Sequence, residues 1–168
     1  MTTMEGGRPI PRYAAPEKQM LAEYLDFHRN TLKWKIEGLS LEDAARPMTP
    51  SGLSLLGMMK HVAFVERWWF QEVFAGEDPE YPWTDDDPDA DFRIEPGETV
   101  ESVGALYDAE CEAARRIVEG ASLDDVAAKK KERGYTLRWI VLHMIEETAR
   151  HNGHADILRE AIDGKIGE

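Results

Sequence analysis

Four residues near the C-terminus, His143, Glu147, His151 and His154, recur at three- and four-residue steps in the segment Leu137 to Glu160, LRWIVLHMIEETARHNGHADILRE. At about 100° per residue they fall within an arc of roughly 80° on one helix face. Ile140 and Leu158 share that arc, so imidazole and carboxylate groups interrupt a stripe that periodicity assigns to the core. Burying an uncompensated carboxylate costs several kcal/mol, so this face needs a cation or a dense hydrogen-bond network, and we read it as a metal site. Glu147 and His151, four residues apart, reach one ion from adjacent turns. A third ligand is His61, in the helical segment GLSLLGMMKHVAFVERWWF, where Ser54, Met58, Val65 and Trp68 share its face and turn it inward. Three nitrogen and oxygen ligands with a position left for water suit a catalytic zinc ion better than a closed structural site; the same set also suits ferrous iron and oxygen chemistry.

The remaining polar groups carry weaker signals. His143 and His154 lie one turn outside the Glu147/His151 pair. They are candidates for orienting the ligands or moving a proton, beside the plainer reading as polar residues bonded within a bundle. His28 sits on the apolar stripe of an earlier helix and is expected to support the site or its substrate rather than to ligate. The metalloprotease pattern H-E-x-x-H is absent, because Met144 follows His143. A di-iron bundle needs two Glu-x-x-His pairs and two further glutamates, whereas the second helix offers only His61. The run Asp85-Asp86-Asp87 with Asp89 and Asp91 lacks the glycine and distal glutamate of a calcium loop and reads as a solvated acidic loop. Arg150 and Glu146 read as structural ion pairs. Cys111 has no basic neighbour in sequence to lower its pKa and reads as packing.

The elements that must position these groups follow from periodicity. Residues 1–16 carry Gly6, Gly7, Pro9, Pro11 and Pro16 and read as an extended arm; 17–168 read as a single helical domain. Helix one runs from Glu17 to about Gly38, with Leu21, Tyr24, Leu25, His28, Leu32 and Ile36 at three- and four-residue steps. A proline-containing linker holds at most a short helical turn. Helix two, capped by Ser51 or Ser54, reaches about Phe74 and ends before Gly76. The connection 76–97 is too rich in Pro and Asp for helix or strand, and its aromatics Tyr81, Trp83 and Phe92 are candidates to wall a substrate pocket. Thr99 caps helix three, with Val103, Leu106, Tyr107, Cys111, Ala114 and Val118 as its core stripe. Helix four closes at Gly164, and Gly153 is expected to let it approach helix two closely. Four long helices without strand-like alternation predict an all-α four-helix bundle with a long irregular connection between helices two and three.

Composition restricts the partners. The 168 residues carry 33 acidic against 20 basic side chains, a net charge of -13, which argues against a nucleic-acid surface. Lys129-Lys130-Lys131 is the one basic cluster and reads as a solvated loop or helix end. A single cysteine excludes an internal disulfide and fits a reducing compartment. Neither a signal peptide nor an apolar run of the roughly 20 residues needed to span a bilayer is found, so a soluble cytoplasmic protein is expected. Trp68, Trp69 and Phe70 run round helix two, so at least one should face another helix or a second subunit of a homodimer.

The segment GLSLLGMMKHVAFVERWWF, together with TLRWIVLHMIEETARHNGHADILREAIDG, resembles the DinB superfamily, and especially its thiol-dependent actinobacterial branch, which includes the mycothiol-dependent maleylpyruvate isomerase. The likeness runs from about helix one to the C-terminus. The family's metal triad, one histidine on helix two and an i, i+4 pair on helix four, matches His61, Glu147 and His151. Many members have histidine where this chain has Glu147; the isomerase has glutamate. The resemblance implies a DinB-like bundle holding a divalent metal, zinc by preference, which binds the thiolate of a low-molecular-weight thiol such as mycothiol and presents it to an electrophilic small molecule. The isomerase has a further C-terminal domain without counterpart in these residues, so the expectation is S-transfer to some other electrophile. Two other classes fit the same residues: a non-catalytic metal- or ligand-binding module of stress response or detoxification, and a thiol-independent metal hydrolase or oxygenase.

Overall fold

Each of the four periodic stretches is helical in the computed structural model, which describes residues 7–167. Helix α1 spans Glu17–Ile36 and is stopped by Gly38 at a φ of 76°. The linker holds only α2, Leu41–Ala44, capped by Ser40. Helix α3, Leu55–Glu66, starts on Ser54, whose hydroxyl accepts from the Gly57 N–H at 3.1 Å; Ser51 takes no part. Helix α4, Val100–Gly120, opens with a reciprocal capping box between Thr99 and Ser102. Helix α5, Leu137–Asp163, is capped by Thr136 and closed by Gly164 in the left-handed conformation. Among the described residues there is no β-strand, only the isolated bridges Thr84–Asp87 and Val126–Thr136. Helix α1 packs chiefly on α5, and α3 on α4, which completes the expected all-α bundle.

Three features depart from a regular reading of the sequence. After Glu66 the helix continues as a π-helix, Arg67–Phe74, with the Ala75 N–H donating to the Phe70 carbonyl at 3.0 Å. The wider turn carries the consecutive residues Trp69 and Phe70, and then Val73, to the buried side, which 3.6-residue periodicity does not do. Trp68 stays half-buried under the Lys130 ammonium, 4.3 Å from its ring centroid, so this aromatic run is met from within the chain. Tyr24, assigned to the α1 stripe, is exposed, whereas Arg29 on that helix is buried. The first six residues of the expected N-terminal arm, like residue 168, lie outside the described residues. From Gly7 the arm folds back on α1, with the buried Arg8 guanidinium donating to Thr31 at 2.8 Å and lying over Trp34.

The core is divided by a polar belt. One apolar cluster gathers Leu32 and Ile36 of α1, Leu55, Leu56, Met58, Met59, Val62 and Ala63 of α3, Tyr107 and Cys111 of α4, and Ala155 and Leu158 of α5. The other gathers Leu25, Phe70, Val73, Ala114, Leu137, Ile140 and Met144. Along α1 the change falls at Arg29, along the second helix at Glu66, and along α5 at Glu147, Thr148 and His151, all buried. Arg29 and Glu66 satisfy each other with two hydrogen bonds of 2.7 and 2.6 Å. Thr148 bonds back to the Met144 carbonyl at 2.7 Å, and Glu147 and His151 contribute to the site described next.

Candidate metal centre

The second helix and α5 form an antiparallel seam: the His61 ring lies 5.2 Å from His151, and Trp69, eight residues further on, lies 4.9 Å from His143, eight residues back. At this seam His61, Glu147 and His151 each offer a ligand atom, and the three lie within 4.8 Å of one another. Among the described residues no other group of three His, Cys, Asp or Glu side chains converges in this way. His151 Nε2 is 3.1 Å from Glu147 Oε1; because a carboxylate only accepts, the neutral ring without a cation donates its Nε2 proton to Glu147, and an ion held by both atoms would take that proton's place. The other Glu147 oxygen is bonded by Arg150, which fixes which oxygen faces His151. Arg150 therefore does more than pair with Glu146, its partner at 3.9 Å.

The His61 ring is set by the 76–97 connection. Its Nδ1 lies 2.8 Å from Oδ2 of Asp91, and its face is covered by Phe92, stacked at 3.9 Å and 15°. A carboxylate only accepts, so in the neutral ring the proton sits on Nδ1 and the lone pair on Nε2 faces away from Asp91. Asp91 is 4% exposed, in a turn of 3-10 helix, Ala90–Phe92. The acidic-loop reading therefore holds for the exposed Asp85, Asp86 and Asp89 and fails for Asp91. The signal that separates it in sequence is its setting between Ala90 and Phe92 in a stretch otherwise built of Asp and Pro. The turn comes so near α3 that a Cβ on Gly57 would lie 2.1 Å from the Phe92 carbonyl oxygen. Close backbone approach thus falls to Gly57 and not to Gly153, which is exposed and where a Cβ would meet nothing within 4 Å.

The site is partly open, with side-chain exposures of 18% for His61 and 11% for Glu147 and His151. Burial, with the nearby His61, lowers the His151 pKa, opposed by Glu147; the neutral imidazole that a cation needs is favoured. His151 Nδ1 is buried without a hydrogen-bond partner among the described residues. Convergent nitrogen and oxygen donors, one tautomer held by a buried carboxylate and one lowered imidazole pKa form a set that fits a divalent ion.

The other sequence candidates are spread around this centre. His154 is exposed, its ring edge-on to His151 at 5.8 Å. His143 stacks on Trp139 and meets Trp69 edge-on, in an aromatic group one turn along the seam. His28 is half-buried, with a pKa lowered by burial; its carbonyl accepts from Asn152, next to His151. Tyr81 and Trp83 stack on each other at 4.3 Å, and Trp83 packs edge-on against Phe64 of α3. Burial pushes the Cys111 thiol up to about 12, with Glu66 acting in the same direction. That excludes it as a thiolate nucleophile near neutral pH.

A helical bundle whose seam presents a His/Glu/His donor set defines a class of candidate metalloproteins. The model of the mycothiol S-transferase family matches residues 20–164, and the chain belongs to that family. Among curated proteins none matches the sequence. Among solved structures, a conserved protein from Enterococcus faecalis superposes with a TM-score of 0.64 at 16% identity, over 90% of this chain and all of that one, a likeness of fold. No helix among the described residues is long and apolar enough to cross a membrane.

Proposed function

We propose that the protein is a divalent-metal-dependent transferase that activates a low-molecular-weight thiol of the mycothiol type for attack on an electrophilic small molecule. The observation that carries this reading is the convergence of the three donors within 4.8 Å in a chain of this family. His61 Nε2, Glu147 Oε1 and His151 Nε2 would hold the ion, zinc by preference, with one position left for an exogenous ligand. When bound, such a cation lowers the pKa of a thiol, ordinarily about 8.5, so that it is deprotonated near neutral pH.

The chain's own groups do the rest. Asp91 and Arg150 fix the ligand atoms, and the 11 to 18% exposure of the three side chains leaves the centre reachable by a small molecule. We assign to His154, exposed beside His151, the role of base for the S–H proton. The sulfur then forms a bond to the electrophilic carbon, and the electron pair leaves with a departing group or, in an addition, is protonated. His143, and the Tyr81–Trp83 stack on α3, are groups that would contact the electrophile. His28 supports α5 from behind.

Elemental analysis of the purified protein beside His151→Ala, followed by calorimetric titration with mycothiol, tests this. About one metal per chain, lost in the variant, with thiol binding that needs the metal, is the expected result. A stably folded wild type that takes up no zinc would overturn it.

A further inference from the structure

The second helix commits three nearly successive residues to one turn of the 76–97 connection. Gly57 leaves room for the Phe92 carbonyl, Lys60 donates at 2.8 Å to the Arg93 carbonyl and to Glu98, and His61 meets Asp91. Lys60 is 3% exposed, and Glu98 also accepts from the Glu95 N–H at 2.7 Å. A buried lysine on one side and a buried aspartate on the other thus clamp residues 91–93 to the helix that carries the candidate ligand. A solvated acidic loop has no use for such a clamp, because its aspartates are satisfied by water.

We infer that Asp91 is a positioning residue of the metal centre, and that Lys60 with Gly57 docks it there. The inference rests on the metal reading above. Asp91 accepts the Nδ1 proton, which excludes the tautomer with Nε2 protonated, and Phe92 holds the ring from its face. A ligand so fixed loses less rotamer freedom on binding and is more basic, and removal of such partners typically lowers metal affinity about 10- to 100-fold. Lys60 acts on His61 through the turn, by way of Asp91 and Phe92, so its effect should shrink once Asp91 is replaced, leaving the part that Phe92 carries.

The test combines two readouts. In the metal-free wild type, long-range proton–nitrogen correlation spectra should show His61 protonated at Nδ1; protonation at Nε2 would overturn the inference without any variant. Competition with a chromophoric chelator then gives zinc affinity for the wild type, Asp91→Asn, Lys60→Met and the double variant, each checked for folding by circular dichroism. Asp91→Asn should mix the His61 tautomers, since an amide both donates and accepts, and weaken zinc binding about 10- to 100-fold. Lys60→Met should weaken it less, and weaken it further in the Asp91→Asn background by less than it does in the wild type; full additivity of the two would overturn the docking role of Lys60. Equal affinity in wild type and Asp91→Asn overturns the role of Asp91 alone. A wild type that binds no zinc overturns the metal reading itself and this inference with it.

Discussion

Replacing Gly57 by alanine places one methyl group where the fold leaves no space. The new carbon would lie 2.1 Å from the Phe92 carbonyl oxygen and 2.9 Å from the Ser54 hydroxyl, against a minimum of 3.0 Å for real Cβ contacts. The turn 90–92 must therefore retreat by about 1 Å, and overpacking of this kind costs ~1–3 kcal/mol. The helical preference of alanine over glycine returns at most ~1 kcal/mol. A 1 Å retreat also stretches the 2.8 Å Asp91–His61 hydrogen bond beyond useful length. The same substitution at Gly153, exposed and with open space around its Cβ, meets nothing. It should stabilise by ~0.5–1 kcal/mol, so the two variants have opposite signs. Thermal unfolding monitored by circular dichroism reads the difference, at about 2–4 °C per kcal/mol for a chain of this size. Zinc titration of the same samples should show weaker binding in Gly57→Ala and unchanged binding in Gly153→Ala. If Gly57→Ala melts at or above the wild-type temperature and binds zinc equally well, the docking of the connection on α3 has been misread.

Three further outcomes follow from the belt and the core. Glu66→Gln leaves the Arg29 guanidinium, 3% exposed, with only Asp26 as a charged partner; breaking a buried pair costs ~3–5 kcal/mol, a fall of roughly 6–20 °C in Tm, and replacing both residues with Met should recover most of it. In the metal-free protein, burial lowers the pKa of His28 and, with the charge of His61, that of His151, below the ordinary 6.5. The unfolded chain then binds more protons, so stability should be full above pH 6.5 and be lost as the pH falls through that value; scanning calorimetry between about pH 7.5 and 5.5 in chelator reads this, and a flat profile contradicts it. Cys111, 2% exposed and with its thiol held near 12, should resist alkylation in the native protein, and Cys111→Ala should retain transferase activity; a tenfold loss in the folded variant would make the thiol part of the chemistry.

The helices, their caps at Ser54 and Thr99 and the stop at Gly164 were legible because caps and apolar periodicity act within a few residues of each other. The donor set was legible for the same reason: Glu147 and His151 share a face by spacing alone, and His61 sits on an inward face of its own helix. What escaped depends on contacts between distant segments. Nothing in a sequence tells which helical glycine faces another backbone: the expectation of close approach falls on Gly153, whereas Gly57 carries the contact. Asp91 hides in an acidic run, and its burial is decided by Lys60 and His61, some 30 residues away. The π-helix is equally non-local: it satisfies the burial of Trp69, Phe70 and Val73 together, a demand set by the partners of those side chains.

The length of the 76–97 connection has a physical reason in the imidazole ring. The two nitrogens of His61 diverge, so if Nε2 serves the seam with α5, the partner of Nδ1 must come from another direction. Helix α5 already supplies Glu147 and His151 on the seam side. The neighbouring turns of α3 are filled by Met58, Met59 and Val62, which belong to the core. A connecting segment can bring Asp91 in from outside the bundle, leave its other acidic residues in water, and seal the approach with the Phe92 ring. Shortening the connection to a tight turn would keep the four helices and remove the one group that decides which nitrogen of His61 is free.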